Sequence, residues 1–182
     1  QGRQLTVQVS DKTPKGTQLS VIIGVRDAVN DGKAGRIDIT VVPSTRPLAV
    51  PQPDRVVARR GATTSIDVLA NDGATNPFPS TPLTVIAVRG ASDASLPPGV
   101  QVTPSADRSR LTVAVASDAQ PADTTLQYEV ADATGDPDRY TWGTVTISVE
   151  DRPGSVANVR IVGIGDRQLT VAWDAGAANN AP

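Results

Sequence analysis

The chain has no cysteine, no histidine and no methionine, and only five aromatic residues among 182: Phe78, Tyr128, Tyr140, Trp142 and Trp173. Without cysteine there is no thiol nucleophile, no disulfide framework and no thiolate metal site. Without histidine the usual general base, the Ser–His–Asp triad and imidazole ligation are all excluded. Stability then has to come from buried apolar area, which a unit of about 100 residues can supply. No apolar run approaches the roughly twenty residues of a membrane-spanning helix, and no signal peptide is visible. With Gln1 first and no methionine anywhere, the segment is expected to start inside a longer polypeptide.

Positive charge is also scarce. The net charge is −2, so the basic excess that displaces counterions from phosphate is missing and nucleic acid is not an expected partner. Residues 44–151 carry eight Arg and no Lys against thirteen Asp and Glu. Arginine outnumbers lysine 14 to 3 overall, which reads as the coding bias of a GC-rich bacterial genome. Spontaneous Lys–Asn or Lys–Asp cross-links need a buried lysine, so residues 44–151 cannot form one internally. Lys12, Lys15 and Lys33 fall in turn-rich sequence and are expected to be solvated.

What the chain has in quantity is Val, Thr and Ala in short runs, punctuated by Gly, Pro, Asp and Asn. That composition favours strands and turns. It also repeats. Arg3–Val7 resembles Ser109–Val113; Val21, Ile23, Val25 and Asp27 match Leu126, Tyr128, Val130 and Asp132. Gly35–Val41 matches Gly143–Val149, and Arg46-Pro47 matches Arg152-Pro153. The offset stays near 105–108 residues throughout, which sets one structural unit at about that length.

Each matched block alternates apolar and polar residues with period two, as half-buried strands do. The complete copy predicts strands near 55–59, 63–70, 83–89, 99–103, 110–116, 124–131 and 142–149. Asn71-Asp72-Gly73, Pro97-Pro98-Gly99, Asp107-Arg108, Gln120-Pro121 and Gly135-Asp136-Pro137 supply the turns. The expected inward set is Ile66, Val68, Leu83, Val85, Leu111, Val113, Leu126, Tyr128, Val130, Val145, Ile147 and Val149. Seven short strands in about 100 residues describe an all-β, immunoglobulin-like Greek-key sandwich. Three units follow: residues 1–46 as the last strands of one such domain, 47–151 as a complete one, and 152–182 as the start of a third. The first 43 residues cannot close a sandwich alone. Either the chain starts partway through a domain, or another chain supplies the missing strands.

Ile66-Asp67-Val68-Leu69-Ala70-Asn71-Asp72 and Leu126-Gln127-Tyr128-Glu129-Val130-Ala131-Asp132 carry a family resemblance. Residues 1–151 resemble the bacterial immunoglobulin-like and cadherin-like tandem repeats of large surface proteins. Pro153 through Trp173-Asp174 resembles the opening of a fibronectin type III domain, with Trp173 as its buried tryptophan. The resemblance implies a secreted or cell-surface location, neighbouring domains of the same chain as partners, and calcium in some relatives. The relatives' acidic loop after Asn-Asp is replaced here by Gly73-Ala74-Thr75-Asn76-Pro77-Phe78-Pro79, too poor in carboxylates for calcium.

Four groups are candidate sites. Asn71-Asp72-Gly73 is expected to be a turn, with Asn and Asp bonding local backbone and Gly73 at positive φ, or alternatively a vestigial metal corner. Asp132, Asp136 and Asp138 gather at one pole; they read as turn chemistry, or alternatively as a weak interdomain calcium site. Tyr128 fits a tyrosine corner, its hydroxyl bonding upstream backbone. Tyr140 and Trp142 point outward if alternation runs unbroken from Val145, and would then offer rings to a surface glycan or protein ligand. A bulge at Gly143 would instead bury Trp142.

Together these features predict a non-catalytic structural or adhesive spacer. The prolines at 43, 47, 51 and 53 stiffen one link and Glu150–Pro153 forms a shorter one. The alternative is an accessory, carbohydrate-binding region of a secreted polysaccharide-degrading enzyme. An enzymatic role for the segment itself is weakest, because no two acids fall on predicted strands facing one cleft.

Overall fold

The structure is a computed structural model that describes residues 4–10, 12–25, 29, 32–91 and 95–181. Arg3 and Asp27, two of the repeat matches, lie outside the described residues. The fold is all-β, and its centre is a sandwich of two sheets. Strands β3 (Asp54–Arg59), β5 (Thr84–Gly90), β8 (Asp123–Ala131) and β9 (Thr141–Glu150) form one sheet in the order β3-β9-β8-β5. Strands β4 (Thr63–Ile66), β6 (Val100–Pro104) and β7 (Leu111–Val115) form the other in the order β4-β7-β6.

The chain changes sheets at Arg60–Ala62, where Gly61 takes φ +71° and donates its N–H to Val115 O at 2.9 Å. A side chain at that φ is disfavoured, which is why glycine sits at the crossing. The first and last strands of the sandwich run parallel, with Asp54 opposite Val145 and Arg59 opposite Glu150.

Period-two alternation places every second side chain between the sheets. Of the expected inward set all are buried except Ile66, which is partly buried against the same core. Each buried Val, Leu or Ile contributes roughly 1.5–3 kcal/mol.

The strand expected over 63–70 stops at Ile66. Consecutive turns follow, with Ala70 N bonded to Asp67 O and Asp72 N to Leu69 O. Val68 still drops into the core, and its carbonyl accepts from the Tyr128 hydroxyl at 3.1 Å. A side-chain donor therefore replaces the ladder partner that the carbonyl would otherwise lack.

Two hairpins flank the sandwich. In the first, β1 (Gln18–Val25) pairs with β2 (Lys33–Thr40). Its register reproduces that of β8 and β9 at the repeat offsets. Val21 faces Ile37 as Leu126 faces Val145, Ile23 faces Gly35 as Tyr128 faces Gly143, and Leu19 faces Ile39 as Thr124 faces Ile147. Leu19, Val21, Ile23, Ile37 and Ile39 share one face, and Leu19 and Ile37 are exposed. On the other face Asp38 accepts from Ser20 Oγ at 2.5 Å and Arg36 Nε at 2.8 Å, which holds its carboxyl below the usual range.

The second hairpin pairs β10 (Ala157–Gly165) with β11 (Gln168–Asp174) and leaves Ile161, Ile164, Leu169 and Trp173 exposed. Trp173, expected to be buried between sheets, is instead on an open face. A two-stranded hairpin has no second sheet to cover it.

Candidate functional site

The pole of the sandwich that receives the linker holds most of the unusual polar chemistry. The β8–β9 connection closes through a turn at Gly135 (φ +63°) and a single 3₁₀ turn over Pro137–Arg139. The 3₁₀ turn carries Arg139 inward. Its guanidinium and the Asp132 carboxylate are 7% and 1% exposed, and both Nε and Nη2 lie 2.7 Å from Asp132 Oδ2. Asp132 Oδ1 accepts from Thr134 N and Oγ1 at 3.0 and 2.6 Å.

Arg139 spends its remaining donors on the linker. Nη1 donates to Arg46 O at 2.9 Å and Ser44 O at 3.4 Å, and Nη2 to Pro47 O at 2.9 Å. The guanidinium of Arg46 lies 4.7 Å from the centroid of buried Phe78.

Lys15 is exposed, as expected, and reaches from the first hairpin unit to this same pole. Its ammonium is 2.8 Å from Asp136 Oδ1 and also bonds Asp138 Oδ2. The Asp136 and Asp138 contacts raise the lysine pKa, and the Lys15 bond lowers that of Asp136. A cleft of about 660 Å³ separates the two units here, lined by Val9, Pro14, Lys15, Val42, Arg46, Phe78, Asp136 and Arg139.

The three acids considered for calcium thus meet the chain's own cations. Asp132 faces Arg139, while Asp136 and Asp138 face Lys15. Among the described residues no three His, Cys, Asp or Glu side chains are grouped to hold a metal ion.

A second polar cluster sits under the linker's last residues. Asp72 is 0% exposed and accepts from Gln52 N at 2.7 Å through Oδ1, while its Oδ2 is buried without a hydrogen-bond partner. Burial pushes the Asp72 pKa up. Tyr128 Oη lies 2.8 Å from Asp54 Oδ2, 3.1 Å from Val68 O and 3.2 Å from Gln52 O. Burial first, and the Asp54 carboxylate second, push the Tyr128 pKa up. Burial raises Asp54 as well, against the Tyr128 bond, with the nearby Asp72 charge adding to the rise.

The Asn71-Asp72-Gly73 expectation is corrected in its details. The segment does turn, but Gly73 is not at positive φ and opens a 3₁₀ turn. Asn71 Nδ2 donates to Asp54 Oδ1 at 3.1 Å, so both polar side chains bond across the fold rather than locally. Tyr128 does bond upstream backbone, and in addition the Asp54 carboxylate. The sequence signal for this cluster is slight, since Asp54 and Asn71 lie 17 residues apart with nothing local to mark them as partners.

On β9 alternation is unbroken through residues 141–148, so no bulge intervenes. Gly143 faces inward by that alternation, and Tyr128 crosses it so closely that a Cβ there would lie 2.4 Å from Tyr128 Cζ. Trp142 points outward and is 36% exposed. The Arg89 guanidinium covers its ring at 3.8 Å, held by Gln127 Oε1 at 2.9 Å. Tyr140 is half-buried and donates its hydroxyl to Gly135 O at 3.2 Å. The two rings do not form an open platform, because one is stacked by arginine and the other is tied to the turn.

No protein-family model matches this chain, and no curated protein matches it. Among solved structures, an endo-fucoidan hydrolase from glycoside hydrolase family 107 is similar to 79% of this chain at 11% identity, with a TM-score of 0.32. The chain spans 20% of the length of that solved chain. At that TM-score the likeness carries no argument about fold or activity.

Proposed function

We propose that this chain is a non-catalytic spacer in a large bacterial extracellular or cell-surface protein. It would join successive β-sandwiches through pinned rather than swinging links. In this reading β1–β2 are the closing strands of a preceding sandwich of the same kind, and β10–β11 open a following fibronectin-like one. The matched registers of β1–β2 and β8–β9 support the first assignment.

The observation that carries the proposal is the treatment of the linker. Prolines restrict its backbone, and Arg139 then bonds three of its carbonyls. Thr75 Oγ1 donates to Val50 O at 2.8 Å, and Asp72 accepts from Gln52 N. A link whose only task was to connect would have no use for a buried arginine and a buried aspartate. Ordering it costs roughly 1–2 kcal/mol of backbone entropy per residue, which these bonds offset.

Replacing residues 47–151 in the whole protein by an unrelated stiff sandwich of equal length tests this. A spacer tolerates the exchange and fails only on deletion. Loss of function on exchange would mean that the module's own surface binds something. The alternative, an accessory carbohydrate-binding region, would place a sugar on the Trp142 face, where Arg89 already lies over the ring. Binding on a glycan array abolished by Trp142→Ala would favour it.

A further inference from the structure

Strands that run parallel and carry the two ends of a domain respond to tension in a particular way. Pulled from the linker, β3 is drawn toward its Asp54 end. Pulled from the following link, β9 is drawn toward its Glu150 end. The two strands pair over Asp54–Arg59 and Val145–Glu150, so opposed forces slide them along each other. All ladder bonds between them are then strained at once, whereas forces across a hairpin's open end break bonds one after another. Everything between residues 60 and 144 is shielded until this ladder gives way.

Both ends of the ladder carry extra bonds. At the end where β9 leaves, Arg60 N donates to Glu150 O at 3.1 Å and Arg60 Nη1 lies 2.6 Å from Asp151 Oδ2. At the end where β3 enters, Asp54 is held by Tyr128 Oη and Asn71 Nδ2, and Gln52 by Asp72. This gives the buried Tyr128–Asp54–Asp72 cluster a use that packing alone does not supply. Below the linker bonds made by Arg139, it ties the entry of β3 to the sandwich, through the Asp54 side chain and the Gln52 N–H.

We propose that the β3–β9 ladder and its two end anchors are a shear-loaded mechanical latch, making this sandwich a load-bearing element under tension between its neighbours. Its biological use rests on the spacer reading. A failed module exchange would leave a contrast in rupture force between two pulling axes intact, and equal rupture forces would leave the exchange result intact.

The absence of cysteine makes the test direct, because two introduced thiols define the pulling axis in the full chain. Pro53→Cys with Arg152→Cys loads the ladder in shear. Ala122→Cys with Arg152→Cys peels β8 from β9 at their open end, where Val149 N bonds Ala122 O. All three positions are exposed. Single-molecule pulling at one loading rate is expected to give a rupture force several-fold higher for the first pair. Adding Tyr128→Phe, which keeps the ring and removes the hydroxyl, lowers the shear force and leaves the peeling force nearly unchanged. Equal forces along the two axes would overturn the latch. A shear force insensitive to Tyr128→Phe would overturn the anchor.

Discussion

Arg139→Met is the most informative single perturbation of the pole. It keeps most of the side-chain volume and removes the cation, leaving the Asp132 carboxylate 1% exposed with only Thr134 as a partner. Removing one member of a buried ion pair costs about 3–5 kcal/mol, because the surviving charge stays buried without its counter-ion. Three linker carbonyls lose their donor as well. Against a typical domain stability of about 5–15 kcal/mol this is a large share. With an m-value of about 1.5 kcal/mol/M, the urea midpoint should fall by roughly 2–3 M. The assay is equilibrium urea unfolding of the parent chain, Arg139→Met, Asp132→Asn and the double variant. The double variant should recover part of the loss, since it carries no orphan charge, but not all, since the linker carbonyls remain unpaired. A single-variant loss below about 1 kcal/mol, the worth of an ordinary surface pair, would refute the buried-ion-pair reasoning.

Three further outcomes follow from the geometry. Gly143→Ala would put a methyl 2.4 Å from Tyr128 Cζ, and should lower the melting temperature by about 4–8 °C for each of the roughly 1–3 kcal/mol that overpacking costs; an unchanged or raised melting temperature would mean the ring does not cross that strand. Asp72→Asn removes an acid whose folded-state pKa is raised by burial. Such a group favours the folded state less as pH climbs from its unfolded value, about 4, through its folded value, so parent-minus-variant stability should fall as the pH is raised above about 4, and a flat difference in urea titrations would contradict it. Trp142→Ala should cost only about 1 kcal/mol, from the lost arginine stacking and partial burial, whereas a loss of about 3 kcal/mol or more would mark it as a core residue.

Alternation along the chain made the sandwich legible. Leu126, Tyr128 and Val130 on one strand and Val145, Ile147 and Val149 on the next announce their inward face because a strand's side-chain period is two. The repeat was legible for the same reason, since β1–β2 must keep β8–β9's register to keep its apolar face. Where the expectation failed, a long-range polar bond had replaced a local rule. Beyond Ile66 the chain turns, and Val68 O meets the Tyr128 hydroxyl, sixty residues on, in place of a ladder partner. Asp72 looked like turn chemistry because nothing near it in sequence identifies Gln52 N as its donor. Lys15 is solvated as expected, but its pairing with Asp136 and Asp138 was hidden because those acids lie more than 120 residues away. The burial of Arg139 was likewise hidden, since one arginine in an Asp-rich turn is an ordinary surface pattern until the linker folds over it.

The most direct check is a distance distribution between the first hairpin unit and the sandwich pole. Spin labels at Ile22→Cys and Ser80→Cys, both exposed and on either side of the pinned linker, report it by pulsed electron resonance. A single narrow distribution is predicted, identical with calcium or with chelator, because Lys15 and Arg139 already satisfy the acids, and broadened by Arg139→Met. A broad distribution in the parent chain, or one that narrows only when calcium is added, would contradict the pinned joint on which the spacer account rests.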